Sequence, residues 1–462
     1  MRRKHIIFFV VAMFLTWNML MYKTIVGKSN GVQPHNHENV EGKLSVLQSE
    51  IEKQLKNNEQ LLTELRKLRS ELSEKKQQSQ LKPTQAVVTQ APPKAKGPNS
   101  TGENESWLKL KDTDKVDDIV LPILMIACDR ADAVSRSLDL VLKHRPDRKR
   151  FPVIVSQDCG HQQTSDAIQK YVQDHGVVHI KQPDLGKVNV PWPQRKFEGY
   201  YKISRHYKWA LNQIFHTFNH SAVIIVEDDL DISPDFYEYF AATFRVLHQD
   251  SSLWCVSAWN DNGKLNMVKD DPELLHRTDF FPGLGWMFER KLWLELGPKW
   301  PDTFWDDWMR HPDQRQGRSC IRPELSRTST FGKKGVSKGL FFEKHLKFIQ
   351  LNDKVVPFTQ RDLSYLIKEN YDPKFVQYIY NLPEVTASEV KAQSKKALPE
   401  VRVTYKTKEQ FKDAAKKLGI MDDFKAGVER TAYMGVVSFS YQGQRVHVAP
   451  PSDWAGYDTT WS

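Results

Sequence analysis

Near its start the chain carries a largely apolar run and then changes period several times. Residues 6–22 are almost wholly apolar behind a basic flank of Arg2, Arg3, Lys4 and His5. About 17–25 apolar residues span a bilayer, so the run is short but sufficient. The positive flank stays cytosolic, which predicts residues 1–5 as a cytosolic tail, 6–22 as a transmembrane signal-anchor and the remainder on the far side. No small-residue cleavage pattern follows, and bulky Trp17, Met19, Leu20, Met21 and Tyr22 close the run, which argues against a cleaved leader. A short span suits a thin early-secretory bilayer.

Residues 23–106 read as stalk and linker. Within 40–76, Leu44, Leu47, Ile51, Leu61, Leu65, Leu68 and Leu72 fall on heptad a and d positions, with Gln54 and Asn58 in the gaps. That pattern predicts a helix, either a solvated single one or a coiled coil that would make a stalk-mediated homodimer. Residues 77–106 turn to Gln, Pro, Lys and Ser, a composition that buries no core. Asn99, Asn104 and Asn219 sit in N-x-[ST] patterns, usable for glycosylation on the lumenal side.

From Trp107 the pattern becomes globular. Apolar runs at Ile119–Ala127, Phe151–Ser156, Val177–Ile180 and Ala222–Val226 predict strands. Helical periods at Ala131–His144, Thr164–Asp174 and Lys202–Phe215 separate them, the last with Ile203, Tyr207, Ala210 and Ile214 on one face. Alternation of this kind predicts an α/β fold with a largely parallel sheet. Ligands of such sheets bind beyond the carboxyl ends of the strands. The segment 107–350 is assigned to this α/β domain. Residues 351–462 differ: Val401–Tyr405 alternates like a strand, Phe411–Leu418 is helical with Gly419 as C-cap, and Val436–Val448 reads as a hairpin turning near Gln442-Gly443. This smaller C-terminal region shows no chemistry of its own and is expected to pack on the first.

Composition adds little. The net charge of +10 arises from Lys and Arg mixed with acids along the chain, so no nucleic-acid partner is expected. All 4 cysteines (Cys128, Cys159, Cys255 and Cys320) lie in the globular part. An even number on the lumenal side predicts two disulfides, with three pairings open.

The strand ends carry the chemistry. Cys128-Asp129-Arg130 follows the first strand, Gln157-Asp158-Cys159-Gly160 the second and Glu227-Asp228-Asp229 the fourth. Three adjacent carboxylates repel one another and are readily tolerated around a cation. Hard oxygens suit Mg²⁺ or Mn²⁺. Downstream, Phe304-Trp305-Asp306-Asp307-Trp308 wedges two carboxylates among aromatic rings. Desolvation there is expected to raise a carboxyl pKa and favour a general base, and the rings suit the apolar faces of sugars. The glycine- and lysine-rich stretch 331–339 could bend over a diphosphate, and it lacks the P-loop pattern.

From about Val120 to the C-terminus the strings IACDR, VSQDCGH, RKFEGYYKISRHYKWAL, VEDDLDISPDF, LWCVSAWNDNGK, TDFFPGLGW, FWDDWMR, GVSKG and APPSDWAGYD resemble the N-acetylglucosaminyltransferase I family. The resemblance implies a GT-A fold, UDP-N-acetylglucosamine as donor, Mn²⁺ as cofactor and the α-1,3-linked mannose of an oligomannose N-glycan as acceptor, joined in β-1,2 linkage. It implies Asp306 as catalytic base and Asp229 as metal ligand. Glu227 and Asp228 would contact the ribose and donor sugar, Asp158 and His206 the uracil, Arg130 and Ser337 the diphosphate, and Trp305 the donor sugar. The loop holding Ser337 would order over bound donor. It pairs Cys128 with Cys159 and Cys255 with Cys320, and it implies a type II Golgi membrane protein. Two alternatives are a protein O-mannose β-1,2-N-acetylglucosaminyltransferase, with the same chemistry on another acceptor, and a catalytically inactive glycan-binding protein.

Overall fold

The computed structural model describes residues 118–461, apart from 334, 336–338, 340, 341 and 344. The anchor, stalk, coiled coil and linker expected from the sequence, and Ser337, lie outside the described residues. Among the described residues no helix is long and apolar enough to cross a membrane. The described residues fall within one compact unit.

The first elements follow the sequence pattern closely: β1 (Ile123–Ala127), α1 (Ala131–His144), β2 (Val153–Gln157), α2 (Gln162–His175), β3 (Val178–Lys181), α3 (Glu198–Asn212) and β4 (Ala222–Glu227). Helix α1 buries Val134, Leu138 and Val141, the i, i+4, i+7 stripe of an amphipathic helix. There follow β5 (Leu230–Ile232), α4 (Phe236–Gln249), β6 (Leu253–Ser257), β7 (Leu275–Thr278), β8 (Trp286–Glu289), α5 (Arg290–Leu296), α6 (Trp305–Arg310), α7 (Pro312–Arg315), β9 (Ser319–Pro323) and β10 (Thr328–Thr330). One sheet collects eight of these strands in the order β3-β2-β1-β4-β8-β6-β9-β7.

The parallel arrangement holds for β3, β2, β1 and β4. Beyond them the sheet is mixed. Strand β8 runs antiparallel to β4 and β6, and β7 antiparallel to β9. Parallel neighbours need a long crossover, usually helical. Loops join β6, β7 and β8 instead, so the strands can reverse.

Successive residues of β4 face opposite cores. Ala222, Ile224 and Val226 pack with α1 and α4, whereas Val223 and Ile225 pack with α3, α5 and α6. Burial on both faces explains why β4 reads as a continuous apolar run.

The C-terminal region comprises α8 (Lys368–Asn381), α9 (Ala387–Lys391), β11 (Glu400–Thr404), α10 (Lys408–Leu418), β12 (Phe424–Lys425), β13 (Val428–Glu429), β14 (Val437–Tyr441) and β15 (Gln444–Ala449). Gly419 ends α10 at φ 83°. Gln442 and Gly443 turn the β14–β15 hairpin with φ of 49° and 85°, the two positive values that a tight two-residue turn demands. Arg430 donates to Asp261 at 2.8 Å and Tyr457 to Asp279 at 2.7 Å, joining this region to the strands and loops of the large sheet.

Candidate active site

The parallel half of the sheet aligns the polar strand ends along one edge. Ile126 is level with Glu227 and Ala127 with Gln157. Cys128 and Cys159 form a disulfide, their Cα atoms 5.3 Å apart, so the turn carrying Arg130 is tied to the turn carrying Asp158. The other disulfide, Cys255–Cys320, joins directly paired residues of β6 and β9. Both pairings are those the resemblance implied.

Asp158 is buried, and its backbone N–H donates to the Ala127 carbonyl at 2.9 Å. His206, on α3, bonds Ser156 Oγ through Nε2 at 2.8 Å. Burial, against the opposing pull of Asp158, lowers its pKa to about 4. The imidazole is therefore neutral at physiological pH, able to recognise an uncharged ring but not to supply a cation.

Within the acidic triplet Glu227 turns to Tyr207, whereas Asp228 and Asp229 share Arg130. Glu227 accepts from the Tyr207 hydroxyl at 2.8 Å. Burial and then Asp229 push its pKa up to about 7. Asp228 accepts from Arg130 Nη2, and Asp229 from Arg130 Nη1 at 2.7 Å. Burial raises Asp228 to about 6 although Arg130 opposes it. Burial also works against the Arg130 charge, but Asp228 and Asp229 outweigh it and hold the guanidinium pKa above its ordinary value. Arg130 thus places one positive charge between Asp228 and Asp229.

Asp229 is the most accessible of the Arg130-paired carboxylates, its side chain 17% exposed against 3% for Asp228. Strand β10 pairs with β5 immediately after the triplet. This brings Phe331 N–H to the Asp229 carbonyl at 3.1 Å. A Cβ on Gly332 would lie 2.0 Å from Asp229 Oδ2, so only glycine allows this approach. The glycine- and lysine-rich stretch thus starts against Asp229.

Asp306 enters from the opposite face of the sheet. Phe304 precedes α6 in the left-handed region at φ 47° and occupies its N-cap position, so neither aspartate caps the helix. Phe304 packs on Tyr200 and Phe197 of the α3 end, with ring centroids 4.7 and 5.3 Å away. Trp305 is buried among Trp286, Trp300 and Tyr207, the Tyr207 ring centroid 4.4 Å away. With Trp305 pointing inward, Asp306 and Asp307 point out.

At Asp307 the expected rise does not follow, because ion pairing outweighs desolvation. Asp306 and Asp307 have side chains 46% and 41% exposed, and both accept from Arg310 Nη1, at 2.9 and 2.8 Å. Burial would raise Asp307, but Arg310 and Lys425 prevail and hold it below the usual carboxylate range. The reason is tertiary: Arg310 arrives one turn later on α6 and Lys425 from β12, reaching Asp307 at 3.1 Å.

Tyr207 joins the two acidic groups. Its ring lies on Trp305 and its hydroxyl on Glu227. Burial and then the charges of Glu227, Asp306 and Asp229 drive its pKa well up. The sequence marks Tyr207 only as part of an apolar helix face. Arg310 was legible as the i+4 partner of Asp306, whereas nothing near Lys425 in the chain signals its place here.

Among the described residues no group of three or more His, Cys, Asp or Glu is arranged to hold a metal ion. The donor chemistry still suits one. Asp228 Oδ2 is buried without a hydrogen-bond partner among the described residues, and Asp229 offers hard oxygens near solvent. Mg²⁺-like ions need only one or two protein carboxylates when diphosphate and water complete the shell.

The chain matches the GNT-I family over residues 4–461. An Arabidopsis thaliana protein named alpha-1,3-mannosyl-glycoprotein 2-beta-N-acetylglucosaminyltransferase is 40% identical over 327 residues, 71% of this chain and 72% of the relative. Similar solved structures include the mannosyltransferase PcManGT from Pyrobaculum calidifontis in complex with GDP-Man and Mn²⁺ (14% identity, TM-score 0.27, 39% of this chain and 48% of that one). Another is S. aureus TarS 1-349 (14% identity, TM-score 0.34, 64% of this chain and 88% of that one). With its family match running almost end to end, the chain belongs to the GNT-I family.

Proposed function

We propose that the protein is an inverting glycosyltransferase moving N-acetylglucosamine from UDP-N-acetylglucosamine, in β-1,2 linkage, to the α-1,3-linked mannose of oligomannose N-glycans. This step opens hybrid and complex N-glycan synthesis. One observation carries the reading: Tyr207 touches both Glu227 of the strand-end acids and Trp305 of the Trp305–Asp306 turn, so a nucleotide-sugar site and a candidate base meet at one side chain. Family membership and the name of the Arabidopsis relative support the same transfer.

The fold assignment is GT-A. Asp158 and neutral His206 would meet the uracil, Glu227 and Asp228 the ribose and donor sugar, Arg130 and Ser337 the diphosphate, and Trp305 the donor sugar. Mn²⁺, when bound, would supply counter-charge for the departing diphosphate, and Asp229 would hold it. Asp306 takes the proton from the mannose 2-hydroxyl as that oxygen forms its bond to the anomeric carbon. The bond from that carbon to the diphosphate breaks in the same displacement, inverting the configuration. A half-exposed carboxylate suits this role because the acceptor must reach it from solvent. The apolar run at 6–22 supports a single-pass type II Golgi membrane location with the catalytic unit in the lumen.

The test is transfer from UDP-N-acetylglucosamine to an oligomannose glycan and, in parallel, to an O-mannosyl peptide. Oligomannose is the expected acceptor. Asp306→Asn should lower kcat by about 100-fold or more, within the range of a lost general base, with UDP binding retained. Near-normal transfer by that variant removes the assignment. Preference for the O-mannosyl peptide selects the alternative acceptor, and no transfer to either points to a glycan-binding protein.

A further inference from the structure

We propose that Arg310 is a positioning residue for Asp306, and that Asp307 and Lys425 set the share of its charge that Asp306 receives. The inference rests on the reading of Asp306 as the base.

Arg310 is held independently of the carboxylates. Its side chain is 8% exposed. Nε donates to the Phe281 carbonyl at 3.0 Å, and the guanidinium lies over the Phe280 and Phe281 rings at 4.9 and 5.9 Å. The segment 280–281 follows β7, a different part of the chain from α6. Arg310 is therefore a fixed post against which the exposed face of α6 is set. From it Nη1 reaches Asp306 Oδ2 and Asp307 Oδ1, and Lys425 Nζ reaches Asp307 Oδ2. The result is a row of alternating charge: Lys425, Asp307, Arg310, Asp306.

The row answers two opposed needs of a general base. A half-exposed aspartate on a six-residue helix can rotate away from the acceptor, and a base must hold its geometry to be effective. Arg310 pins Oδ2. Among the described residues no donor reaches Oδ1, which stays open to take a proton. A cation bonded to one carboxylate alone weakens it as a base. Asp307 takes part of the Arg310 charge, and Lys425 in turn keeps Asp307 charged and in place. Among the described residues, Tyr200 and Tyr207, both on α3, also feel the charge of Asp306. The C-terminal region thereby contributes to the site through one lysine.

The experiment is the pH dependence of kcat and KM for UDP-N-acetylglucosamine and a mannose-terminated acceptor, in wild type, Arg310→Gln, Arg310→Lys and Asp307→Asn. Thermal melts report folding. Arg310→Gln should lower kcat by about 100-fold with donor KM changed by less than about three-fold. Its acidic limb should move up by about one pH unit. Asp307→Asn should move that limb down, because Arg310 then serves Asp306 alone. Arg310→Lys should restore the limb but not the rate, since an ammonium cannot reproduce the fork. Unmoved limbs in Arg310→Gln and Asp307→Asn overturn the proposal, as does loss through donor KM alone. If Arg310→Gln does not fold, the direction of the Asp307→Asn limb decides. Retained transfer by Asp306→Asn defeats the base reading itself, whereas an inactive Asp306→Asn with unmoved limbs defeats only this inference.

Discussion

Glu429 in β13 is buried, accepts from the Tyr405 hydroxyl at 2.8 Å through Oε1, and has no partner at Oε2 among the described residues. Burial, reinforced by Asp279, pushes its pKa up from 4.5 to about 7. An acid whose folded pKa is raised binds more protons folded than unfolded. Stability is therefore full below pH 4.5 and is lost as pH rises towards 7. A shift of about 2.5 units at about 1.36 kcal/mol per unit sets a ceiling of about 3.4 kcal/mol. Between pH 5 and pH 8, linkage gives about 2.5 kcal/mol of that loss.

Glu429→Gln removes the titration and keeps an acceptor for Tyr405, while its new NH₂ faces the unpartnered side at a cost of about 1–3 kcal/mol. The variant should be the less stable at pH 5 and gain about 2.5 kcal/mol on wild type by pH 8. For a unit of roughly 350 residues unfolding with about 0.7 kcal/mol/K of entropy, that is a relative shift of about 3–4 °C in Tm. Melts of Trp107–Ser462 at half-unit pH intervals read it directly. Parallel Tm curves for wild type and variant would refute the argument, since a packing defect shifts both ends alike.

Replacing Cys128 and Cys159 by Ala opens a loop of sequence separation 31 and should cost about 3–4 kcal/mol on the chain-entropy account. It should also raise donor KM more than it lowers kcat, because the Arg130 and Asp158 turns come apart; denaturant midpoints and donor titrations check both. Tyr207→Phe deletes the donor to Glu227 and keeps the ring on Trp305, so donor KM should rise about five-fold, matching about 1 kcal/mol for a net hydrogen bond. Unchanged KM would mean that Glu227 does not touch the donor. Chelation should abolish transfer and Mn²⁺ restore it. Asp229→Ala should weaken UDP binding in the presence of Mn²⁺ by about ten-fold or more, as calorimetry would register.

Local pattern determined a good deal by itself. The apolar runs of β1, β2 and β4, the stripe of α1, the Gly419 cap and the Gln442-Gly443 turn are short-range matters of period and allowed φ, and each appears where periodicity puts it. The strand-end motifs were likewise visible, because a parallel sheet sends its carboxyl ends to one edge. Tertiary structure decided which charges meet. Arg130 lies about a hundred positions from the acids it grips, and Lys425 reaches Asp307 across 118 positions. Tyr207 becomes a bridge only when α3 lies against α6. Carboxylates read as isolated among tryptophans turn out to be paired, because electrostatic energy depends on distance in space, and a linear chain does not record that distance.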